Sequence, residues 1–207
     1  MTDDPGPTAA EVDSGPLPDG SGDDARPRRA DARRNNERLV AAARTVFATQ
    51  GGGASMEAVA KEAGVGAGTL YRHFPKRLDL VEAVYREDVD ELVTDAATFA
   101  AELDPWDALV AWLQAFVRYA SRKRTFLSEL HEAFEKNPTL KVASRERIEG
   151  AVSAVLAPAQ DAGLVRRDVD GSDLMQLISS MCMSATLTPE QGQRLLVVIQ
   201  DGLRPQA

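Results

Sequence analysis

Residues 55–84 read SMEAVAKEAGVGAGTLYRHFPKRLDLVEAV, and their spacing decides the fold. Ser55 is a favoured N-cap residue placed directly before Met56, Val59, Ala60 and Ala63, which recur at helical intervals; Gly64 stops that short helix. A second short helix is expected over residues 66–73, because Pro75 disfavours helical geometry at Phe74. Val65 fills the space between the two, and a pair of short helices joined at a glycine is a helix-turn-helix. Upstream, Leu39, Val40, Ala43, Val46 and Phe47 mark a preceding helix that ends at the glycines 51–53.

Downstream, an apolar face through Leu80, Val84, Leu92, Ala96 and Phe99 predicts one long helix from Lys76 to about Asp104, with about 28 residues spanning roughly 40 Å. Asp104 is expected to cap the next helix, with Pro105 at its first position and a buried stripe of Trp106, Leu109, Leu113 and Phe116. Trp112, Ala115 and Tyr119 form a second apolar face on it, so that helix belongs inside the body. Further helices are expected at about 125–136, 138–162 (with Pro158 kinking or tightening its last turn), 170–185 and 189–203. Strand alternation and internal repeats are not evident. The expected fold is all-α with about nine helices: a helix-turn-helix domain at 26–75 and a helical domain at 76–207.

The 207 residues carry a net charge of −8, an average over regions of opposite sign. Residues 1–25 hold seven acids and no base, residues 26–86 carry +6, and residues 87–207 carry −7. Positive charge is therefore concentrated around the helix-turn-helix, where a nucleic acid would lie. The acidic N-terminal stretch is rich in Pro, Gly, Asp and Ser and is expected to be disordered, either as a remnant or as an arm screening the basic module. Its lack of a basic cluster followed by an apolar run leads to the expectation of a cytoplasmic protein without a secretory signal, and no apolar run predicts a membrane span. The single cysteine, Cys182, offers neither a disulfide nor a metal pair and is read as a core or interface thiol. No cofactor or metal is expected, and His131 is read as surface or pocket wall.

The stretch from Ser55 through Ala60, Ala63, Gly64, Val65, Gly68, Thr69, Leu70, Tyr71, His73, Phe74, Arg77 and Leu80 resembles the DNA-binding domain of TetR-type repressors. That resemblance implies a dimer on a palindromic double-stranded DNA operator, released by a small-molecule effector bound in the C-terminal helices. The residue types fit the chemistry independently. Gly66, Ala67 and Gly68 let a helix backbone approach base edges. Thr69, Tyr71 and His73 can donate to phosphates, Ser55 stands at a helix N-terminus whose free amides suit a phosphate, Arg72 can reach a phosphate or a guanine edge, and Lys76 and Arg77 add charge. Gly66 departs from the family's usual Ser or Thr, which shifts expected readout toward Arg72 and the arm residues Arg28, Arg29, Arg33 and Arg34. Those arginines are either minor-groove readers or a nonspecific charge run.

Trp106, Trp112, Phe116, Tyr119, Phe126, Phe134 and Met175 are candidate effector-pocket residues, Trp112 and Tyr119 foremost because each pairs apolar area with a polar handle; core packing is the competing reading for each. Leu174, Leu177, Ile178, Met181, Leu195, Leu196, Val198 and Ile199 are candidates for a four-helix dimer interface. The sequence offers no nucleophile with its base, no phosphate-cradling loop and no metal spacing, so catalysis is not expected. An activator with the same DNA-binding head, or a helical enzyme or ligand-binding protein retaining the motif, are the alternative readings.

Overall fold

The computed structural model describes residues 1–2, 25–184 and 186–205, the side chains of 25–30 and 32 excepted. Residues 3–24 of the expected acidic tail, and the side chains of Arg28 and Arg29, thus lie outside the described residues. The chain divides into two units, residues 1–35 and 36–207. In the first, the backbone is helical from Ala25 and Arg34 pairs with Asp31. All later elements belong to the second.

Among the described residues there are nine α-helices, one 3-10 turn and no strand. Helix α1 (Ala25–Gln50) ends at the 3-10 turn Gly51–Gly53, and α2 (Met56–Glu62) and α3 (Ala67–His73) form the helix-turn-helix. The body follows as α4 (Arg77–Glu102), α5 (Pro105–Arg124), α6 (Leu127–Lys136), α7 (Pro138–Asp161), α8 (Gly171–Cys182) and α9 (Pro189–Leu203).

Most helix boundaries follow local chemistry. Asn137, Asp170 and Thr188 each cap a helix through a side chain that accepts an amide hydrogen bond, and Pro138 and Pro189 sit where a missing N–H costs nothing. Asp104 differs from expectation. Its side chain makes no capping bond, and the start of α5 is held by its backbone carbonyl, which accepts from the Ala108 amide at 2.9 Å. Helix α7 runs through Pro158 to Asp161, and α8 ends at Cys182, three residues short of the expected end.

One continuous core runs from Leu39 to Leu203, with shared packing across residue 75, where a domain boundary is expected from the sequence. Helix α4 packs against α5, α6 and α7; α8 lies on α5 and α7, and α9 on α5. The two apolar faces of α5 are both buried, and the Trp112 indole N–H donates to the Leu92 carbonyl at 3.2 Å, satisfying the one polar atom of a 1% exposed side chain.

The core also encloses a charge. Asp88 is 1% exposed; it accepts from Arg122 of α5 at 3.1 Å and forms an ion pair with Arg44 of α1 at 2.9 Å, while Glu91 meets both guanidinium groups from the next turn of α4. Burial pushes the Asp88 carboxyl up and the two arginines pull it back, with the net shift upward. The carboxylate therefore joins α1, α4 and α5 at an appreciable desolvation cost. Asp88→Ala should destabilise the protein by about 1–3 kcal/mol, less than for a fully enclosed pair, because both arginines reach water and keep Glu91. Urea unfolding followed by circular dichroism measures this, and an unchanged midpoint would contradict it.

Candidate nucleic-acid interface and effector cavity

The turn between α2 and α3 is set by Gly64, whose φ of +66° is left-handed and strained for any side chain. Around it the Val65 amide donates to the Ala60 carbonyl at 3.0 Å and the Gly64 amide to the Lys61 carbonyl at 3.1 Å, which is the Schellman closure of a helix. Arg38 of α1 adds a hydrogen bond to the Ala63 carbonyl at 2.8 Å, placing a cation on the negative end of α2. At the other end, Ser55 accepts from the Ala58 amide at 3.1 Å. Leu70 and Phe74 are buried beneath α3 and Val65 is half-buried at its start, fixing its angle against α2.

This arrangement leaves one face of α3 outward. Gly66, Ala67, Gly68, Tyr71 and Arg72 are exposed, Thr69 and His73 are half-buried, and Ser55 and Lys76 are exposed beside them. A Cβ built at Gly66 or Gly68 would meet nothing within 4 Å, so neither glycine is demanded by the protein's own packing. Their smallness leaves the α3 backbone open on that face. The Tyr71 hydroxyl donates to Glu57 at 3.1 Å, which raises the phenol above and holds the carboxyl below its ordinary value; for Glu57 the leading cause is its own backbone hydrogen bond. Arg33 and Arg34 are exposed in the first unit.

Arg77 is placed differently from the other expected contacts. Its guanidinium donates to the carbonyls of Ala54 and, at 3.1 Å, Gly52, pairs with Glu129 of α6 at 3.0 Å, and lies 5.0 Å from the centre of the Phe47 ring. A Cβ on Gly52 would crowd the Glu129 carboxylate at 3.2 Å, so the glycine permits this approach. Arg77 is thus a tie between the turn after α1, the start of α4, and α6. Nothing in the local sequence flagged Glu129 as its partner.

Of the effector-pocket candidates, Phe116, Tyr119, Phe134 and Met175 line one cavity of about 240 Å³ in the body. The other three lie elsewhere: Trp112 is sealed in the core, Phe126 packs on Phe47 with ring centres 5.7 Å apart, and Trp106 is covered by the Arg204 guanidinium at 3.3 Å. Tyr85, Lys123, Lys141 and Arg145 line the cavity without having been anticipated. Burial pushes the Tyr119 phenol well above its ordinary value, so it is a neutral hydrogen-bonding group there. His131 is exposed and is not among the residues lining this cavity. Cys182 is 2% exposed, and burial raises its thiol above the usual range, which disfavours the reactive thiolate.

The eight dimer candidates separate into two faces. Leu174, Ile178 and Leu196 are each 1% exposed and fill the chain's own core, which corrects their assignment to an external interface. On α8 the inward stripe is Leu174, Ile178 and Cys182, four residues apart, and the outward one is Leu177 and Met181, displaced by three. Leu177, Leu195 and Val198 are exposed, and with the half-buried Met181 and Ile199 they border one groove between α8 and α9. Val197 is also exposed.

A basic, small-residue helix-turn-helix carried on a cavity-bearing helical body defines a class of regulator that reads DNA with its head. Residues 39–84 match the bacterial tetR-family regulatory protein domain, and residues 104–205 match the C-terminal domain of SbtR-like transcriptional regulators. A TetR transcriptional regulator of Streptomyces coelicolor is 36% identical with a TM-score of 0.73, over 83% of this chain and 99% of that one. The TetR regulatory protein of Mycobacterium vanbaalenii is also 36% identical, with a TM-score of 0.65, over 86% of this chain and all of that one. An HTH-type transcriptional regulator of Staphylococcus aureus is 42% identical over 67 residues, 32% of this chain and 36% of that relative's length. The chain belongs to the TetR family of transcriptional regulators, a family of DNA-binding regulators and not of enzymes. Among the described residues no helix is long and apolar enough to cross a membrane.

The Arg77 tie has a stability consequence. Arg77→Ala should cost about 1–3 kcal/mol, because it strips a carboxylate and two carbonyls of one donor. Burial raises the Glu129 carboxyl, but hydrogen bonds from Ser128 and Arg77 outweigh it and hold the group below its ordinary value. Its contribution is therefore present above the unfolded carboxylate range and fades as pH falls through the lowered folded value. The stability gap between the native protein and Glu129→Gln, measured by urea unfolding, should shrink as pH drops below about 4. A gap that grew in acid would contradict this.

Proposed function

We propose that this protein is a ligand-responsive repressor that acts in the cytoplasm, binds a palindromic double-stranded DNA operator as a homodimer, and leaves it when a small molecule enters the body cavity. The observation that carries DNA reading is the outward face of α3, where Gly66 and Gly68 are small with no internal reason to be. Such a face lets a helix backbone sink into the major groove while Arg72 and Tyr71 reach bases or phosphates. Ser55, Thr69, His73 and Lys76 supply backbone contacts beside it, with Arg28, Arg29, Arg33 and Arg34 adding charge. Arg77 acts by holding this head in position.

The groove bordered by Leu177, Leu195 and Val198 supports pairing with a second copy, since two heads reading half-sites about 34 Å apart, or a multiple of it, supply specificity that one short motif lacks. Response to a ligand is supported by α4. Its first residue, Arg77, anchors the head, and Tyr85, about two turns further on, lines the cavity. A ligand that favours one setting of α4 shifts the population between DNA-competent and DNA-incompetent dimers by its difference in affinity for the two.

An operator selected from random DNA, then titrated by gel shift, tests the reading face. Arg72→Ala should weaken binding by about 1–3 kcal/mol, and Gly68→Leu should abolish operator binding while leaving thermal unfolding within about 1 kcal/mol of native. Unchanged affinity in both variants would overturn the assignment. For the dimer, Val198→Glu should yield monomers by sedimentation, and a persistent dimer would remove α8 and α9 from the interface.

A further inference from the structure

We infer that the body cavity takes a small amphipathic anion, an apolar or aromatic body ending in a carboxylate or phosphate monoester, whose head is held by Lys123, Lys141 and Arg145. This rests on the reading of that cavity as an effector site and gives its ligand a chemical class.

The cavity has two chemistries. Phe116, Tyr119, Phe134, Ile148 and Met175 provide an apolar, largely aromatic wall, while the other side carries three cations and no carboxylate lines it. The cations come from separate elements. Lys123 lies in the last turn of α5, and Lys141 and Arg145 stand four residues apart on α7, which puts them on one face. No acid is among the lining residues, and of the three cations only Arg145 has a carboxylate partner among the described residues, Glu149 outside the cavity lining.

Lys123 is the informative member. It is partly buried, and among the described residues no carboxylate pairs with it or with Lys141. Its ammonium lies 5.6 Å from the centre of the Tyr85 ring and 5.7 Å from that of Phe134. Ring faces and the carbonyl end of α5 favour a cation there, but neither replaces the hydrogen-bonded anion that a partly desolvated ammonium ordinarily finds. Burial, and then the neighbouring Lys141, push Lys123 below its usual range, so this charge stands at a cost that an anion would relieve. Arg145 uses its Nε on Glu149 at 2.7 Å, which leaves its terminal nitrogens to face an acceptor. The volume of about 240 Å³ lies below the roughly 300–1,000 Å³ of pockets for drug-sized ligands, which sets the scale of the apolar body.

The test is isothermal titration of the full chain with three matched series: straight-chain and phenylalkyl carboxylates from butanoate to decanoate in size, the corresponding alkyl phosphates, and the corresponding alcohols. At least one carboxylate or phosphate should bind about tenfold or more tightly than its alcohol, and the better head identifies the source. Lys123→Met and Lys141→Gln should each cut anion affinity by about tenfold and leave alcohol affinity unchanged. Because Lys141 is exposed, its variant reports on charge even if Lys123→Met misfolds. Alcohols binding as well as acids, no anion binding at all, or both variants binding anions like the native protein would each overturn the inference. Neutral ligands that bind and release the operator would keep the effector site while removing its charge preference. Anions that bind without altering operator affinity would keep the anion site and remove the ligand response.

Discussion

Arg77 is the point at which this structure is tied together. Its guanidinium satisfies carbonyls in the turn after α1, meets the Glu129 carboxylate on α6, and lies beside the Phe47 ring, all from the first residue of α4. A planar, five-donor group can serve several acceptors at once from a fixed plane, which an ammonium on a flexible stem cannot do. Helices α2 and α3 have seven residues each, too short to persist alone. They exist because α1, α4 and the turn at Gly64 present them with a core, and Arg77 fixes where that core begins.

The buried electrostatics repeat this economy deeper in the body. Asp88 holds Arg44 and Arg122 together and so joins three helices, but its partners nearly enclose it and its charge is internally balanced. Lys123 stands in contrast: partly buried, bordered by rings and another lysine, with no acid to meet it among the described residues. The first arrangement is finished within the chain. The second is where the proposed anion would supply the missing partner, which is the physical difference between a structural charge and a receptive one.

Much of this was legible in the sequence because it is local. The Ser55 cap, the Gly64 stop, Pro75, Pro105 and Pro189 act within a turn of themselves, and the helices begin and end close to where those residues stand. What was hidden depends on partners far apart in the chain. Asp88 sits in a run of charged residues that reads as a solvated face, and only Arg44 and Arg122, from α1 and α5, make it interior. Trp112 showed that α5 is apolar on two sides, but periodicity cannot say which side meets a cavity and which meets another helix; the Leu92 carbonyl claimed it. Lys123, Lys141 and Arg145 look like ordinary surface cations until α5 and α7 bring them to one opening. Leu174 and Leu177 likewise belong to the same apolar helix, about 60° apart around its axis, yet one is buried and the other exposed.

The emptiness around Gly66 and Gly68 has a consequence for how such a protein changes over generations. None of the described residues presses on those positions, so a serine, an asparagine or a longer side chain there leaves the core and its stability almost untouched. The face proposed to read DNA is thus uncoupled from the forces that hold the fold. Operator preference can drift without passing through unfolded intermediates, whereas Gly64, Arg77 and Asp88 admit little variation. A duplicated copy of this protein would be free to acquire a new target long before it could acquire a new shape.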